Sequence, residues 1–158
     1  VPYTLKGMLW YQGEANSTDS RATLYVHQLS ALVTDWRARW GDEALPFAWV
    51  QLPNFKRAGE GWPLVRESML KTLALPHTGM AIAIDIGDAG NIHPANKQEV
   101  GRRLSLWALG TVYGKKVASV SGPLPSDPAG LNPIQPEQFR SHRPRKKLIN
   151  KPSQEKSY

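Results

Sequence analysis

The chain has no cysteine. That excludes disulfides and thiolate-bound metals, and it removes the redox signal by which a compartment can sometimes be read. No apolar run approaches the roughly 20 residues that a membrane-spanning helix needs, and no signal-peptide pattern is present. The phosphate-binding GxxxxGK[ST] loop is absent too; Gly87 and Gly90 bracket an acid in "GDAG", which suits no nucleotide. No cofactor is expected. The GxSxG elbow of many serine hydrolases is missing, and the chain holds no internal repeat. Its first residue is Val1 rather than Met, as expected of a processed chain or a piece of a longer one.

What is present suffices for one ordinary domain: 158 residues, 41% of them hydrophobic. The formal net charge of +7 raises the question of a polyanionic partner. Residues 1–120 carry 13 Lys/Arg against 10 Asp/Glu, whereas residues 121–158 carry 7 against 3. More than half of the excess thus sits in a short tail. That tail lacks interleaved aromatics and any recognisable module, so no specific nucleic-acid partner is expected. From Pro123 onward the chain holds seven prolines and no sustained periodicity. This predicts a domain over 1–122 and a disordered Pro/Lys-rich tail over 123–158.

Within the domain, apolar runs alternate with helical periodicity. Strands are expected over 3–11, 46–52 and 79–86, with one more short strand over 117–121. Helices are expected over 20–40, 63–75 and 96–113, because apolar residues recur there at spacings of three and four. Asp19 or Ser20 would cap the first helix; Gly41 and Gly114 would stop the first and third. Apolar strands alternating with helices indicate a parallel sheet covered on both faces. Functional groups in such sheets collect at the carboxyl ends of the strands. The polar residues gather there: Gln12 and Glu14, then Gln51 and Asn54, then Asp85, Asp88 and His93.

Two stretches carry the chemistry. "GMLWYQGEAN", residues 7–16, ends a hydrophobic run on an amide and a carboxylate, which is costly to bury without a purpose. The Gln12 amide can donate to a developing oxyanion, and Glu14 can orient it, hold a loop or approach a histidine. "DIGDAGNIHPANK", residues 85–97, sets His93 on a loop near Asp85 and Asp88, and Pro94 biases it away from helical geometry. A loop histidine beside carboxylates can act as a general base. Plainer readings stand beside these: His93 as a surface histidine near a helix N-cap, and Gln12 and Glu14 as groups that satisfy each other. Glu14, Asp85, Asp88 and His93 could be drawn as metal ligands, but one His with scattered carboxylates is a weak donor set, and no metal is expected. Among the serines, Ser30, Ser68 and Ser105 fall inside helices, while Ser17 and Ser20 lie at a helix entrance. None is a persuasive nucleophile.

Together the stretches resemble the sialate O-acetylesterase family of the wider SGNH (GDSL-like) hydrolases. The family block "GxxWYQGE(S/A)N" is matched by residues 7–16, and "DxGD…IHPxNKxxVGxRLAxWAL" by residues 85–109; "PLVRESML" resembles the family's "RE" helix. The resemblance covers roughly residues 5–123. It implies a three-layer α/β/α flavodoxin-like fold with sheet order 2-1-3-4-5, of which this chain supplies strands 3–5. It also implies hydrolysis of acetyl esters on sugars through an acyl-serine. His93 falls on the family's catalytic histidine; Gln12, with Glu14 and Asn16, falls in the block that builds the oxyanion hole and meets substrate. Many SGNH enzymes carry the acid three residues before the histidine, where this chain has Gly90. The resemblance therefore leaves Asp88 or Asp85 as the acid, or a Ser-His dyad held by a backbone carbonyl. The nucleophilic serine belongs to an N-terminal block not found here, so the chain alone is expected to be inactive, and 3–11 to lack its central partner strand. The implied substrate is an acetylated sugar, sialic acid or a plant or bacterial glycan. Family members often act on extracellular glycans, which is compatible with a secreted or periplasmic setting. A competing expectation is a non-catalytic carbohydrate-binding or interaction remnant whose six tryptophans offer stacking surfaces.

Overall fold

The computed structural model of the protein describes residues 3–56 and 58–124. Three parallel strands, β1 (Met8–Trp10), β2 (Phe47–Val50) and β3 (Thr78–Ala81), form a sheet in the order β1-β2-β3. Between and after them run the helices α1 (Asp19–Ala22), α2 (Tyr25–Trp40), α3 (Gly61–Thr72) and α4 (Lys97–Trp107). The strand–helix alternation read from the sequence is thus the observed one.

β2 lies at the centre, and all four of its residues are buried. Phe47 and Trp49 join the cluster of α1, α2 and α3 that contains Tyr25, Leu29, Val33, Trp62, Val65 and Met69. Ala48 and Val50 join the cluster on α4 with Val100, Leu104 and Trp107. Successive strand residues point to opposite faces, so one strand feeds two helical layers. No helix among the described residues is long and apolar enough to cross a membrane. The outer edge of β1 has no strand partner among the described residues, and Leu9 on it is 55% exposed.

The strands are shorter than expected, for identifiable reasons. β1 occupies three residues of the expected 3–11, because only Met8–Trp10 lie in register with Phe47–Trp49. β3 stops at Ala81, where the Gln51 amide makes the last rung to the Ala81 carbonyl at 2.9 Å. Beyond it the chain after β2 reaches Pro53, which has no N–H to extend the ladder, and residues 83–86 turn with Ile86 N bonded to Ala83 O. The expected strand over 117–121 is a loop, its Ser119 hydroxyl bonded to the Ser121 carbonyl.

The helix expected over 20–40 is broken between Ala22 and Tyr25. Ser68 Oγ of α3 donates to the Ala22 carbonyl at 2.9 Å, occupying the acceptor that a continuous helix would offer to the amide four residues on. Thr18, not Asp19 or Ser20, holds the N-cap position of α1. Gly41, with φ 66°, ends α2 as anticipated. α4 is capped by Asn96, whose Oδ1 accepts from Glu99 N; it passes into a π-helical turn over Ala108–Val112 before Gly114, with φ 60°. The tail read as disordered lies, from residue 125 onward, outside the described residues.

Candidate active site

Parallel strands place all three carboxyl ends on one edge of the sheet, and three loops rise from it. The loop after β1 turns at once through Gly13, whose φ of 147° disfavours any side chain. A Cβ there would also lie 2.9 Å from Met69 Cε and 3.3 Å from Val65 Cγ1. Gly13 thus presses the loop onto α3, and a short 3-10 turn over Glu14–Asn16 follows.

In this loop the Gln12 amide is held on both sides. Tyr25 OH lies 2.8 Å from the Gln12 carbonyl and 3.1 Å from Gln12 Oε1. Gln12 Nε2 donates to Asn16 Oδ1 at 2.8 Å, and Asn16 Nδ2 donates to Gln28 Oε1 at 2.8 Å. Of the roles open to Glu14 in the sequence, one is to orient Gln12; in the structure Asn16 bonds to the Gln12 amide instead. The Glu14 carboxylate has no hydrogen bond to another described side chain, yet its charge is felt nearby. Burial, and secondarily Glu14, push the Tyr11 hydroxyl above its ordinary pKa. For Tyr25 burial is again the largest cause, a bond from Trp10 opposes it, and Glu14 adds to it.

The loop after β2 is fastened from α3. Arg66 donates from Nε to the Leu52 carbonyl at 2.8 Å and from Nη2 to the Pro53 carbonyl at 2.6 Å; Trp62 Nε1 adds a bond to Pro53 O at 2.9 Å. Arg66 belongs to the "RE" stretch, to which the sequence assigned no role. It sets the path of Gln51 to Asn54.

The loop after β3 carries Asp85, Asp88 and His93, which do different things. Asp85 forms a two-pronged ion pair with Arg103 of α4, at 2.6 and 2.7 Å, and that pairing holds its carboxyl below the usual range. Asp88 Oδ1 accepts from Gly90 N at 2.8 Å, while Asn91 Oδ1 accepts from His93 N at 2.9 Å. These two bonds shape the turn that presents His93. The His93 side chain is exposed and makes no hydrogen bond to another described residue. Asp85, Asp88, Gln12 and His93 therefore share one sheet edge, but no direct bond joins His93 to Asp85, Asp88, Glu14 or Gln12.

The second and third loops touch. Lys56 N bonds to Ala89 O at 3.0 Å. A Cβ on Gly87 would meet Asn54 Oδ1 at 2.1 Å and the Asn54 backbone O and N at 2.5 and 2.7 Å. Two of these three atoms are backbone, which cannot retreat as a flexible side chain can. Gly87→Ala is expected to destabilise the domain by about 1–3 kcal/mol, the usual cost of overpacking. Urea unfolding checks this, and an unchanged midpoint would show that the loops are not in contact.

α4 also carries a charge network. Glu99 accepts from Arg102 Nε and Nη2, both at 2.7 Å, and from Arg103 Nε at 2.8 Å; Arg103 Nη1 reaches the Ile82 carbonyl at 2.6 Å. The two arginines hold the Glu99 carboxyl at about 2, below its ordinary 4.5. A depressed folded-state pKa contributes stability above the ordinary value and loses it as pH falls through the depressed one. The melting temperature is expected to fall between pH 4.5 and 2, and Glu99→Gln to flatten that part of the profile. Thermal melts followed by circular dichroism decide it, and parallel profiles for the two proteins would refute it. Solvent screening keeps the effect small.

The remaining candidates are committed elsewhere. Ser17, Ser30, Ser68 and Ser105 each donate to a backbone carbonyl, of Glu14, Val26, Ala22 and Arg102. Trp49, Trp62 and Trp107 are buried, and Trp36 stacks on Trp40 with centroids 4.6 Å apart, so the tryptophans mostly serve the core. Among the described residues no three or more His, Asp or Glu gather as a metal site.

Residues 1–109 match the family described as carbohydrate esterase, sialic acid-specific acetylesterase. The chain is 37% identical to the sialate O-acetylesterase of Mus musculus, the match covering 77% of this chain and 26% of that protein. It is 36% identical to the sialate O-acetylesterase of Homo sapiens, covering 27% of it. The chain thus spans about a quarter of the length of these curated relatives. The crystal structure of a carbohydrate acetylesterase from Xanthomonas citri superposes with a TM-score of 0.73 at 50% identity, covering 77% of this chain and 29% of that one.

Proposed function

Because the chain belongs to the sialic acid-specific acetylesterase family of carbohydrate esterases, we propose that its carboxyl-edge loops form one side of an active site hydrolysing acetyl esters on sugars. A serine from outside these 158 residues completes that site. Its Oγ attacks the acetyl carbonyl carbon while His93 takes the hydroxyl proton. The carbonyl oxygen becomes an oxyanion and accepts an N–H from Gln12. Collapse expels the sugar oxygen, which His93 reprotonates, and leaves an acetyl-serine. Water then attacks with His93 again as base, releasing acetate and restoring the serine.

One observation carries this reading. An amide anchored at its carbonyl end and a histidine with an uncommitted side chain stand on the same sheet edge. Of the two aspartates, Asp88 serves His93 by shaping its turn, whereas Asp85 clamps α4 to the loop through Arg103. Asn16 contributes by holding the Gln12 amide, while the charge of Glu14 is felt at Tyr11 and Tyr25. The substrate class that fits is an acetylated sugar, as the names of the relatives suggest. Five of the six tryptophans lie in the two cores or pack against them, which counts against a lectin-like remnant that stacks sugars on them. The test is hydrolysis of an aryl acetate by the purified chain, alone and joined to a serine-bearing segment. His93-dependent turnover by the chain alone would place the nucleophile within it and overturn the proposal.

A further inference from the structure

Gln12 is the inner end of a hydrogen-bond chain whose direction can be worked out. Trp10 Nε1 approaches Tyr25 OH at 3.4 Å. An indole N–H only donates, so the Tyr25 oxygen is the acceptor there, and its single proton must point elsewhere. The available acceptors are the Gln12 carbonyl at 2.8 Å and Gln12 Oε1 at 3.1 Å. With Oε1 on the Tyr25 side, Nε2 faces Asn16 Oδ1, and Asn16 Nδ2 in turn faces Gln28 Oε1. Each link agrees in polarity with the one before it. Reversing the Gln12 amide would require Asn16 and Gln28 to reverse with it, and would leave the Tyr25 oxygen accepting twice while its one proton went to the Gln12 carbonyl alone.

Tyr25 is suited to this task. It is 3% exposed, in the first turn of α2 and within the main core, so packing fixes its ring. Gln28, one helical turn later on α2, is exposed and terminates the chain at its outer end. One of the two Nε2 hydrogens of Gln12 is used by Asn16. The other has no acceptor among the described residues and is available to an incoming one.

We infer that Tyr25, polarised by the Trp10 indole, is a positioning residue that locks the Gln12 amide with its N–H₂ end available to a substrate oxygen, and that Asn16 and Gln28 hold that end from the far side. The role in turnover rests on the esterase reading above; the orientation of the amide does not. Without Tyr25 the amide could flip and present its oxygen, which repels an oxyanion instead of stabilising it.

The test is nitrogen-15 NMR of the Gln12 side-chain amide in the 158-residue chain. Tyr25→Phe keeps the ring and removes only the hydroxyl. The Gln12 resonances are expected to shift, and their exchange with water to quicken by up to about ten-fold, the scale of one lost hydrogen bond. Gln28→Leu, at an exposed position that does not threaten folding, is expected to move the Asn16 side-chain amide strongly and that of Gln12 less. Unchanged Gln12 resonances and exchange in Tyr25→Phe, with the backbone spectrum retained, would overturn the inference. In the joined, serine-bearing protein Tyr25→Phe is expected to lower kcat up to about ten-fold and leave KM nearly unchanged. A perturbed amide with unchanged kcat would confine Tyr25 to a structural role and overturn the functional half. If instead the joined protein has no turnover at all, the esterase reading fails while the spectroscopic result still stands or falls by itself.

Discussion

In a protein that joins these residues to the nucleophilic serine, His93→Ala is expected to lower acetyl-ester turnover by about 10²- to 10⁴-fold, the usual contribution of a general base. That range corresponds to roughly 3–5 kcal/mol of barrier. Every proton transfer in the proposed cycle passes through the same imidazole, so both the acylation and deacylation limbs should slow, and kcat should fall with kcat/KM. Stability should barely change. His93 is exposed, its side chain bonds to no other described residue, and its backbone is held by Asn91. That exposure offers a sharper control. Free imidazole can enter the space left by alanine and should restore part of the rate in proportion to its concentration. A variant that loses activity without rescue, or that unfolds, would point to a structural histidine. One that keeps full activity would remove His93 from the mechanism.

The sheet was legible because its strands are apolar on both faces. "PFAWVQL" admits no solvent-facing register, and β2 is indeed the buried central strand. Strand lengths were less legible, since hydrophobicity does not say where a partner ends; Pro53 and the turn at 83–86 decide that. The break in the first helix was hidden for a related reason. It depends on Ser68, 46 residues beyond Ala22, taking one carbonyl, and no local periodicity records such a contact. At the site, strand-end position brought Gln12, Asp88 and His93 to attention. The residues that hold them escaped. Tyr25 read as one more core aromatic, and Arg66 as an unremarked helix residue. Arg103 offered a faint signal, four residues after Glu99, but its pairing with Asp85 spans 18 residues and needed the fold. Candidate site residues cluster by topology, whereas the residues that hold them are found only through distances.

The largest effect on stability is expected at Trp49. It is fully buried in the middle of β2, in register with Trp10 on one side and Met80 on the other, and its ring fills the layer between the sheet and the helices α2 and α3. Trp49→Ala should cost about 3–5 kcal/mol, because the lost transfer free energy is joined by a cavity that a central strand cannot close. Against a domain stability of roughly 5–15 kcal/mol, that is between a fifth and the whole of it. The indole adds a second, distinguishable term. Trp49 Nε1 is buried with no hydrogen-bond partner among the described residues, and an unmade bond of that kind costs about 1–3 kcal/mol. Trp49→Phe loses some volume but also removes the orphan N–H. Its net effect should therefore be well under half that of the alanine variant. Urea unfolding of the three proteins gives both numbers. Equal losses for phenylalanine and alanine would mean that the indole N–H has a partner and contributes to stability. A loss below about 1 kcal/mol for alanine would mean that the layer closes around the gap, which dense packing on both faces of β2 should prevent.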